Sequence, residues 1–225
     1  MPLTSPFPPA VAFALRSEAD LATAALTPEE ERLLGPASSP RRRAHFRLGR
    51  ACAREALRAL GITAPATVGR AADRRPLWPE GFVGSITHSG DHGAAAAARG
   101  TDFRGLGVDL ERVRLPSDGL LRRTCRPEEQ VAWEALPGDG KPVAFTALFA
   151  AKESIYKAVN PLTGVYLGFQ DATVTFNPGA DAQGGSLTWT LHKDSGGAFP
   201  AGTRGQGAWR AEGEWVVAGI WIAAP

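Results

Sequence analysis

Cysteine is scarce in this chain, which has only Cys52 and Cys125 among its 225 residues. Two cysteines without CxxC spacing are too few for a metal cage, and a disulfide scaffold is not expected in a chain of this length. Reduced thiols are typical of the cytoplasm, so the sequence predicts a cytoplasmic location. The first twenty residues lack a basic segment and are interrupted by prolines, which makes them a poor match to a signal peptide.

Long apolar runs and a strong net charge are also missing. No apolar run reaches the roughly 18 residues of a membrane span, so the sequence predicts no membrane partner. The formal net charge is only +2, which argues against binding of nucleic acid through a global basic field. Apolar residues make up 44% of the chain, enough for the core of one large domain or two small ones.

In the first half of the chain, helices are predicted before strands. TPEEERLL begins a helix, with Thr27 as its N-cap and Glu30 completing a capping box. The Arg-rich segment that follows predicts a longer helix closed by Gly61. Strands are then predicted at 83–90, in GAAAAARG and in GLGVDLE, and the last two are expected to form a hairpin.

The second half repeats this order. A short helix is predicted in RPEEQVAWEAL, and a strong helix in PVAFTALFAAKESIYKAV is expected to end at Asn160-Pro161. Strands are predicted at 171–176, 186–192 and 214–223, with Gly-rich hairpin loops at 177–185 and 194–208. Helices followed by strands in each half predict an α+β fold with an N-terminal half at 1–106 and a C-terminal half at 107–225.

Two acidic residues end an apolar strand in GLGVDLERV. Residues two apart on a strand share a face, so Asp109 and Glu111 are expected to lie side by side. A divalent cation would remove the repulsion between the two carboxylates, and Mg²⁺ prefers such oxygen ligands. Taken alone, a solvated strand end with Glu111 paired to Arg112 or Arg114 is the simpler interpretation.

The helix that contains KESIYK carries a third carboxylate. Glu153 and Lys157 are four residues apart and share a face, which by itself is most simply an exposed pair worth about 0.2–0.5 kcal/mol. The functional interpretation places Glu153 beside Lys152 and Lys157 on a rigid helix. Together with Asp109 and Glu111, it would then give one Mg²⁺ three oxygen ligands.

The helix over 41–58 contains seven arginines and a single acid, Glu55. At helical spacing, five of them form a narrow stripe opposite an apolar face. Like charges four residues apart destabilise a helix, so the stripe indicates either an anion with several phosphates or a nucleic acid backbone. A solvated charged face is the ordinary alternative, and Gly49 suggests that something approaches the helix backbone closely. The stripe consists of Arg43, Arg47, Arg50, Arg54 and Arg58.

The segment GSITHSGDHG places His88 and Ser89 at the end of an apolar strand. Turns rich in glycine and hydroxyls present hydrogen-bond donors to phosphate. Neither an HExxH nor a GxSxG pattern is present, so zinc chemistry and serine hydrolysis are not predicted. Taken alone, His88 is most simply a hydrogen-bonded structural histidine.

The order of GRACAREALRALG, GSITHS, GVDLE and FAAKESIYKAV resembles the 4′-phosphopantetheinyl transferases. The likeness is to the larger, single-chain type that activates peptide, polyketide and siderophore synthetases, and above all to its enterobactin-type and actinobacterial members. It covers roughly residues 27–175 and leaves the tail after about 176 unassigned. Phe149 stands where many members carry Trp, a difference interpreted as packing. The resemblance implies a pseudo-dimer of two similar α+β halves with the active site in the cleft between them.

The resemblance also implies a reaction. Phosphopantetheine would pass from coenzyme A to a serine of an acyl or peptidyl carrier domain, releasing 3′,5′-ADP. Asp109, Glu111 and Glu153 match the Mg²⁺ ligands, for which Mn²⁺ is a possible substitute. Contacts to coenzyme A are assigned by the resemblance to His88, Ser89, Arg50, Lys152 and Lys157, and by weaker matches to Arg42 or Arg43 and Arg70.

Three residues are expected to take part in the transfer itself. Lys157 and His88 would hold the transferring phosphate, and Glu153 is the family's candidate base. Because a nearby cation lowers the pKa of a carboxyl group, a water on the metal or a proton relay through Lys157 is the alternative. The partner would be a small acidic helical carrier docked near 110–125, and the two-half architecture favours a monomer.

Other functions fit parts of the sequence. A nucleic-acid-binding module would use the 41–58 helix without the acidic residues. A non-catalytic coenzyme A or nucleotide sensor would not need Lys157. An Mg²⁺-dependent phosphodiesterase would use water as the acceptor.

Overall fold

An antiparallel sheet of three strands and one long helix form the core of the first half. The computed structural model describes residues 3–35, 38–62, 66–178 and 183–225. The strands pair in the order β1-β5-β4, and a short hairpin of β2 and β3 lies between α2 and β4 in the chain. The elements are β1 (Ala12–Ser17), α1 (Pro28–Leu33), α2 (Pro40–Ala59), β2 (Gly69–Arg70), β3 (Pro76–Leu77), β4 (Phe82–Ser89) and β5 (His92–Arg99).

The predicted helices of this half are confirmed. In α1, Thr27 accepts a hydrogen bond from the Glu30 N–H, and the Glu30 carboxylate accepts one from the Thr27 N–H. Helix α2 lays its apolar face on the sheet. A Cβ atom on Gly49 would come within 2.7 Å of Ile86 Cγ2, so this glycine lets α2 lie close to β4. The close approach expected at Gly49 is therefore made by the protein's own sheet.

A five-stranded antiparallel sheet forms the second half, with the strand order β6-β10-β9-β8-β7. Helix α5 packs across β6 and β10, where Phe145, Ile155 and Ile220 lie in one buried cluster. A Cβ atom on Gly107 would overlap the carbonyl oxygen of Ser154, so α5 lies unusually close to β6. The elements are β6 (Phe103–Arg112), α3 (Asp118–Thr124), α4 (Pro127–Glu134), α5 (Lys141–Thr163), β7 (Ala172–Pro178), β8 (Gly184–Leu191), β9 (Arg204–Glu212) and β10 (Trp215–Ala223).

The predicted hairpin between GAAAAARG and GLGVDLE is wrong. Strand β5 pairs with β1 and β4, and β6 pairs with β10. The alanines at 94–98 are buried on both faces of β5, which suits a central strand, and Gly90, with a φ of 55°, makes the tight turn from β4 to β5.

Two further boundaries differ from prediction. Helix α5 continues past Pro161 to Thr163 and ends at Gly164, whose φ of 70° is left-handed. Strand β9 occupies part of the expected loop at 194–208. Its glycines make room for side chains of neighbouring strands, since a Cβ on Gly205 would overlap the Trp189 indole. Of the other predicted loop, 177–185, residues 179–182 lie outside the described part of the chain.

The α+β prediction is confirmed, since one long helix packs on an antiparallel sheet in each half. The division at 106–107 and a symmetry relating the halves stay predictions. Among the described residues, no helix is both long and apolar enough to cross a membrane.

Candidate active site

The two sheets meet where β4 lies against β6, and the hydroxyls of β4 make the connection. Ser85, Thr87 and Ser89 are two residues apart and share a face of the strand. Ser85 Oγ accepts the Val108 N–H at 3.1 Å, Thr87 Oγ1 donates to Asp109 Oδ1 at 2.8 Å, and Ser89 Oγ donates to Glu111 Oε2 at 3.4 Å. We call these three residues the hydroxyl ladder. It ties the SITHS segment to the GVDLE strand.

Asp109 is buried in this junction and uses only one of its two carboxylate oxygens. Its Oδ1 accepts hydrogen bonds from Thr87 and from Lys157 Nζ, the latter at 2.7 Å. Lys157 Nζ also donates to the Val108 carbonyl at 3.1 Å and to Thr87 Oγ1 at 3.2 Å. Asp109 Oδ2 is buried and has no hydrogen-bond partner within the described residues. An unpartnered carboxylate oxygen in this position is costly unless a ligand occupies it.

Glu111 and Glu153 are within electrostatic range of Asp109. Burial, and next the negative charge of Asp109, raise the pKa of both carboxyl groups above the ordinary value. Lys157 forms its ion pair with Asp109. It is therefore not engaged in the exposed Glu153–Lys157 pair that the sequence suggested.

The three predicted metal ligands lie at one junction, but their side chains are not arranged as a metal-binding group. In the described residues, no group of three His, Cys, Asp or Glu side chains is arranged to hold a metal ion. Lys157 supplies one positive charge at Asp109.

A cavity of about 600 Å³ opens beside this junction, between the start of α2 and the β2–β3 hairpin. No acid is among the described residues that line it, so its charge is strongly positive. Here it is called the cationic pocket. It is lined by Ser39, Arg41, Arg42, His45, Phe46, Gly49, Arg50, Arg70, Arg74, Pro76, Ile86 and His88.

Arg50 is the most deeply placed of these arginines. Its guanidinium lies 4.5 Å from the centre of the Phe46 ring and donates to the Gly69 carbonyl at 2.8 Å. Its Nε is buried and has no partner in the described part of the chain. Burial lowers the pKa of Arg50 to about 10, so the side chain still carries its charge at neutral pH.

His88 forms one wall of the cationic pocket in a stacked pair with His45. The ring centres are 4.3 Å apart, and His45 Nε2 lies 2.9 Å from the Gly90 carbonyl, to which it donates. Desolvation of the part of the ring that faces the protein lowers the pKa of His88, and His45 and Lys157 lower it further. His88 is therefore neutral at pH values near 7, where a bound anion would favour its protonation.

The predicted anion site is only partly where the sequence placed it. Arg42, Arg50, Arg70 and His88 line the cationic pocket, but Arg43 does not, since its guanidinium donates to the carbonyls of Gly35 and Ser38. Two other arginines of the predicted stripe do not line the cationic pocket, because the segment before α2 accepts their hydrogen bonds. Arg47 donates to the carbonyls of Leu21 and Ala24, and Arg54 to Glu30 and the Ala25 carbonyl.

Three residues that line the cationic pocket were missed in the sequence. Arg41 and His45 lie on the first two turns of α2, outside the stripe. Arg74 has a φ of 72° in the turn of the β2–β3 hairpin. The run of three arginines at 41–43 and the ADRRP segment were the available signals.

Two predicted coenzyme A contacts are engaged elsewhere in the protein. The Ser89 hydroxyl belongs to the hydroxyl ladder. Lys152 Nζ is buried and donates to Glu129 Oε2 at 2.6 Å and to the carbonyls of Thr124 and Phe169 at 2.9 and 2.8 Å. All three protons of the ammonium therefore have partners inside the protein, and none is left for a ligand.

A second cavity, of about 480 Å³, adjoins the cationic pocket and shares Arg74, Pro76 and Ile86 with it. Its walls are mainly apolar, and Lys157 lies on its boundary. It is called the apolar pocket, and its further lining includes Leu77, Trp78, Phe82, Leu106 and Tyr156.

Comparison with protein families identifies both halves. The 4′-phosphopantetheinyl transferase N-terminal domain matches residues 29–98, and the 4′-phosphopantetheinyl transferase superfamily matches residues 105–214. The second match reaches beyond the expected limit of similarity near residue 176, so that expectation is wrong.

Individual relatives agree with the families. The 4′-phosphopantetheinyl transferase Npt of Nocardia iowensis is 38% identical over 167 residues, which are 74% of this chain and 73% of that protein. PptT of Mycobacterium tuberculosis is 38% identical over 66% of this chain and 64% of its own length, and enterobactin synthase component D of Salmonella typhi is 34% identical over 60% and 55%.

A solved structure of holo-[acyl-carrier-protein] synthase from Thermotoga maritima is also similar. The TM-score is 0.40 at 20% identity, over 55% of this chain and 65% of that one. This likeness is too distant to carry an argument. The match to Npt and the two families together show that the chain belongs to the 4′-phosphopantetheinyl transferases, an enzyme family.

Proposed function

We propose that this chain transfers the 4′-phosphopantetheine group of coenzyme A to a serine of an acyl or peptidyl carrier domain, with Mg²⁺ bound and with release of 3′,5′-ADP. The observation that carries the proposal is the cationic pocket, whose five arginines open beside the junction of Asp109, Glu111, Glu153 and Lys157.

The two pockets match the two ends of coenzyme A. The 3′-phosphate and the pyrophosphate are multiply charged, and arginine forks bind phosphate oxygens in pairs. Arg41, Arg42, Arg50, Arg70 and Arg74 would hold these groups, with His88 at the side nearer to Lys157. The apolar pocket would receive the pantetheine arm, because it is contiguous with the cationic one and has apolar walls.

The acidic residues offer oxygen ligands to a divalent cation. Asp109 Oδ2 is a buried oxygen without a partner in the described chain, and the raised pKa values of Glu111 and Glu153 mean that both carboxylates lack a positive neighbour strong enough to compensate them. Asp109, Glu111 and Glu153 would hold Mg²⁺ or Mn²⁺, which supplies neutralisation of pyrophosphate charge when bound. Lys157, held by Asp109 and the Val108 carbonyl, would stay close to the transferring phosphate.

Glu153 is the proposed acceptor of the serine proton. Without metal, burial and next the charge of Asp109 raise the pKa of its carboxyl group, but a bound divalent cation lowers that pKa, so the carboxylate would act as the base through its position and not through unusual basicity. It lies on α5 one turn from Lys157, which would place the base and the phosphate-holding lysine on the same helix face.

The test is to incubate the protein, Mg²⁺, coenzyme A and an apo carrier domain, and to weigh the carrier by mass spectrometry. Transfer adds the mass of one phosphopantetheine group. Free phosphopantetheine with an unmodified carrier would indicate a phosphodiesterase, and binding of coenzyme A without either product would indicate a sensor. Each of these two results would contradict the proposal.

Glu153→Gln provides the matched variant for this assay. We expect it to abolish transfer while coenzyme A still binds, because the glutamine keeps the size of the side chain but neither accepts the proton nor offers a charged oxygen to the metal. Retained turnover would remove Glu153 from the mechanism.

The carrier and the cell compartment also belong to the proposal. An acidic helical carrier would dock near the β6–α3 connection, where Leu115 is 64% exposed, whereas Leu121 from the same stretch lies in the core. A cytoplasmic location fits two free, buried cysteines. Nucleic-acid binding by α2 is not favoured, because Arg47 and Arg54 are held by the segment before the helix.

A further inference from the structure

Thr87 lies at the centre of the junction between β4 and β6. Its side chain is buried, with 4% of the residue exposed, and it touches both charged partners of the Asp109–Lys157 pair. Branching at Cβ restricts χ1 of this threonine, and the hydrogen bonds to Asp109 and Lys157 hold its hydroxyl oxygen between the two charges. No pattern in the sequence singles out Thr87.

The direction of each hydrogen bond at Thr87 follows from chemistry. The ammonium of Lys157 only donates, so its contact with Thr87 at 3.2 Å uses a lone pair of the hydroxyl oxygen. The hydroxyl proton is thereby left for Asp109 Oδ1, 2.8 Å away. Lys157 and Thr87 thus both donate to the same oxygen of Asp109, which restricts rotation of the carboxylate.

The other oxygen, Asp109 Oδ2, is buried and unpartnered in the described chain. We propose that Thr87 is a positioning residue: together with Lys157 it holds Oδ1, so that Oδ2 is the oxygen presented to the divalent cation. This inference rests on the proposed metal-dependent function and adds to it a residue that orients a ligand without touching the metal.

The experiment measures metal affinity directly. Mn²⁺ serves as the probe, and free Mn²⁺ is followed by electron paramagnetic resonance in the presence of saturating coenzyme A and without a carrier. We expect Thr87→Val, which keeps the shape and removes the hydroxyl, to weaken Mn²⁺ binding about tenfold or more, the usual effect of losing a group that orients a metal ligand. Thr87→Ser keeps the hydroxyl and should restore most of the affinity.

A matched control removes a threonine–aspartate hydrogen bond at another place in the protein. Thr101 Oγ1 donates to Asp102 Oδ1 at 3.1 Å on an exposed turn, so Thr101→Val should leave Mn²⁺ affinity unchanged. Coenzyme A affinity of Thr87→Val, measured without metal, should change far less than Mn²⁺ affinity, because Thr87 does not line the cationic pocket and would act on coenzyme A only through Lys157. A general loss of structure would lower both affinities.

Unchanged Mn²⁺ affinity in Thr87→Val, or an equal loss in Thr87→Ser, would overturn the inference and leave the proposed function standing. If the wild-type protein binds no Mn²⁺, or if Asp109→Asn binds Mn²⁺ as tightly as the wild type does, the proposed metal site itself is overturned. If Thr87→Val does not fold, Thr87→Ala takes its place, with the melting temperature as the check on folding.

Discussion

At the scale of single residues, the carboxylates at the β4–β6 junction are placed where they destabilise the metal-free protein. Burial and the charge of Asp109 raise the pKa of Glu111 and of Glu153 above the ordinary value of 4.5. An acid with a raised pKa in the folded state lowers stability at pH values above that pKa, because the folded protein holds the charge less well than the unfolded chain does.

We therefore expect Glu111→Gln to stabilise the metal-free protein at neutral pH. The stabilisation should appear as a small rise in melting temperature at neutral pH. It should shrink as the pH falls through the raised pKa and vanish below about 4.5, where the glutamate is protonated in both states. Thermal melts over a pH series measure it, and a variant less stable than wild type at neutral pH would contradict the argument.

Residue spacing predicted which carboxylates share a strand face and the family resemblance supplied the chemistry proposed for the junction, but neither indicated which partner each side chain takes. Asp109 and Glu111 share a strand face as period-two alternation requires. The partners of Arg47, Arg54 and Lys152 are backbone carbonyls and acids from distant segments, and no local pattern records those contacts. Charged side chains on helices thus lie in the cationic pocket, against a preceding segment or in the core.

At the scale of elements, the contact between α5 and β6 decides whether Lys157 reaches Asp109. Gly107 allows the Ser154 carbonyl to approach the strand, one turn before Lys157 on the helix. The glycine of GVDLE is therefore required by packing between these two elements.

We expect Gly107→Ala to push α5 away from β6 and to cost about 1–3 kcal/mol, as overpacking does in rigid cores. Transfer activity should fall as well, because the Lys157–Asp109 contact depends on this spacing. Gly119→Ala is the control, since a Cβ there meets no atom within 4 Å. Urea unfolding compares the two variants, and equal stabilities would show that α5 adjusts freely.

A buried ion pair fixes the other side of α5. Lys152 and Glu129 join α5 to α4, with side chains only 2% and 3% exposed. We expect Lys152→Met to cost about 3–5 kcal/mol, because it leaves the Glu129 charge buried without its partner. The exposed Lys193–Asp171 pair offers a control in Lys193→Met, where the loss should stay below about 1 kcal/mol.

The same variant decides the role of Lys152. Below its melting temperature, Lys152→Met should bind coenzyme A as the wild type does, since the ammonium has no free donor in the folded protein. Weaker binding, measured by calorimetry on folded variant, would return this lysine to the coenzyme A site.

At the scale of the whole molecule, every predicted site residue comes from one chain, and the junction joins its two halves. The α+β class followed from the order of helices and strands, whereas the strand order did not. Strand pairing depends on which edges meet after the helices have packed, and neither GAAAAARG nor GLGVDLE records its neighbour. The family resemblance implied a cleft between the two halves, which hydrophobic periodicity alone could not predict.

Because both halves of the site are covalently connected, we expect the protein to work as a monomer. Light scattering after size-exclusion chromatography should give the mass of one chain, and activity per molecule should not change with protein concentration. A stable dimer together with activity lost on dilution would show that the site needs a second copy.

The hydroxyl ladder restricts the number of residues that β4 can have between Ser85 and Ser89. Its three members contact β6 only because they alternate along β4 with residues that face the opposite way. Deleting or inserting one residue between Ser85 and Ser89 would turn part of this row toward the wrong side and separate the sheets at their shared edge. A substitution in the hydroxyl ladder removes one contact at a time. The insertion or deletion of one residue would disconnect the two halves of the enzyme at the place where they must act together.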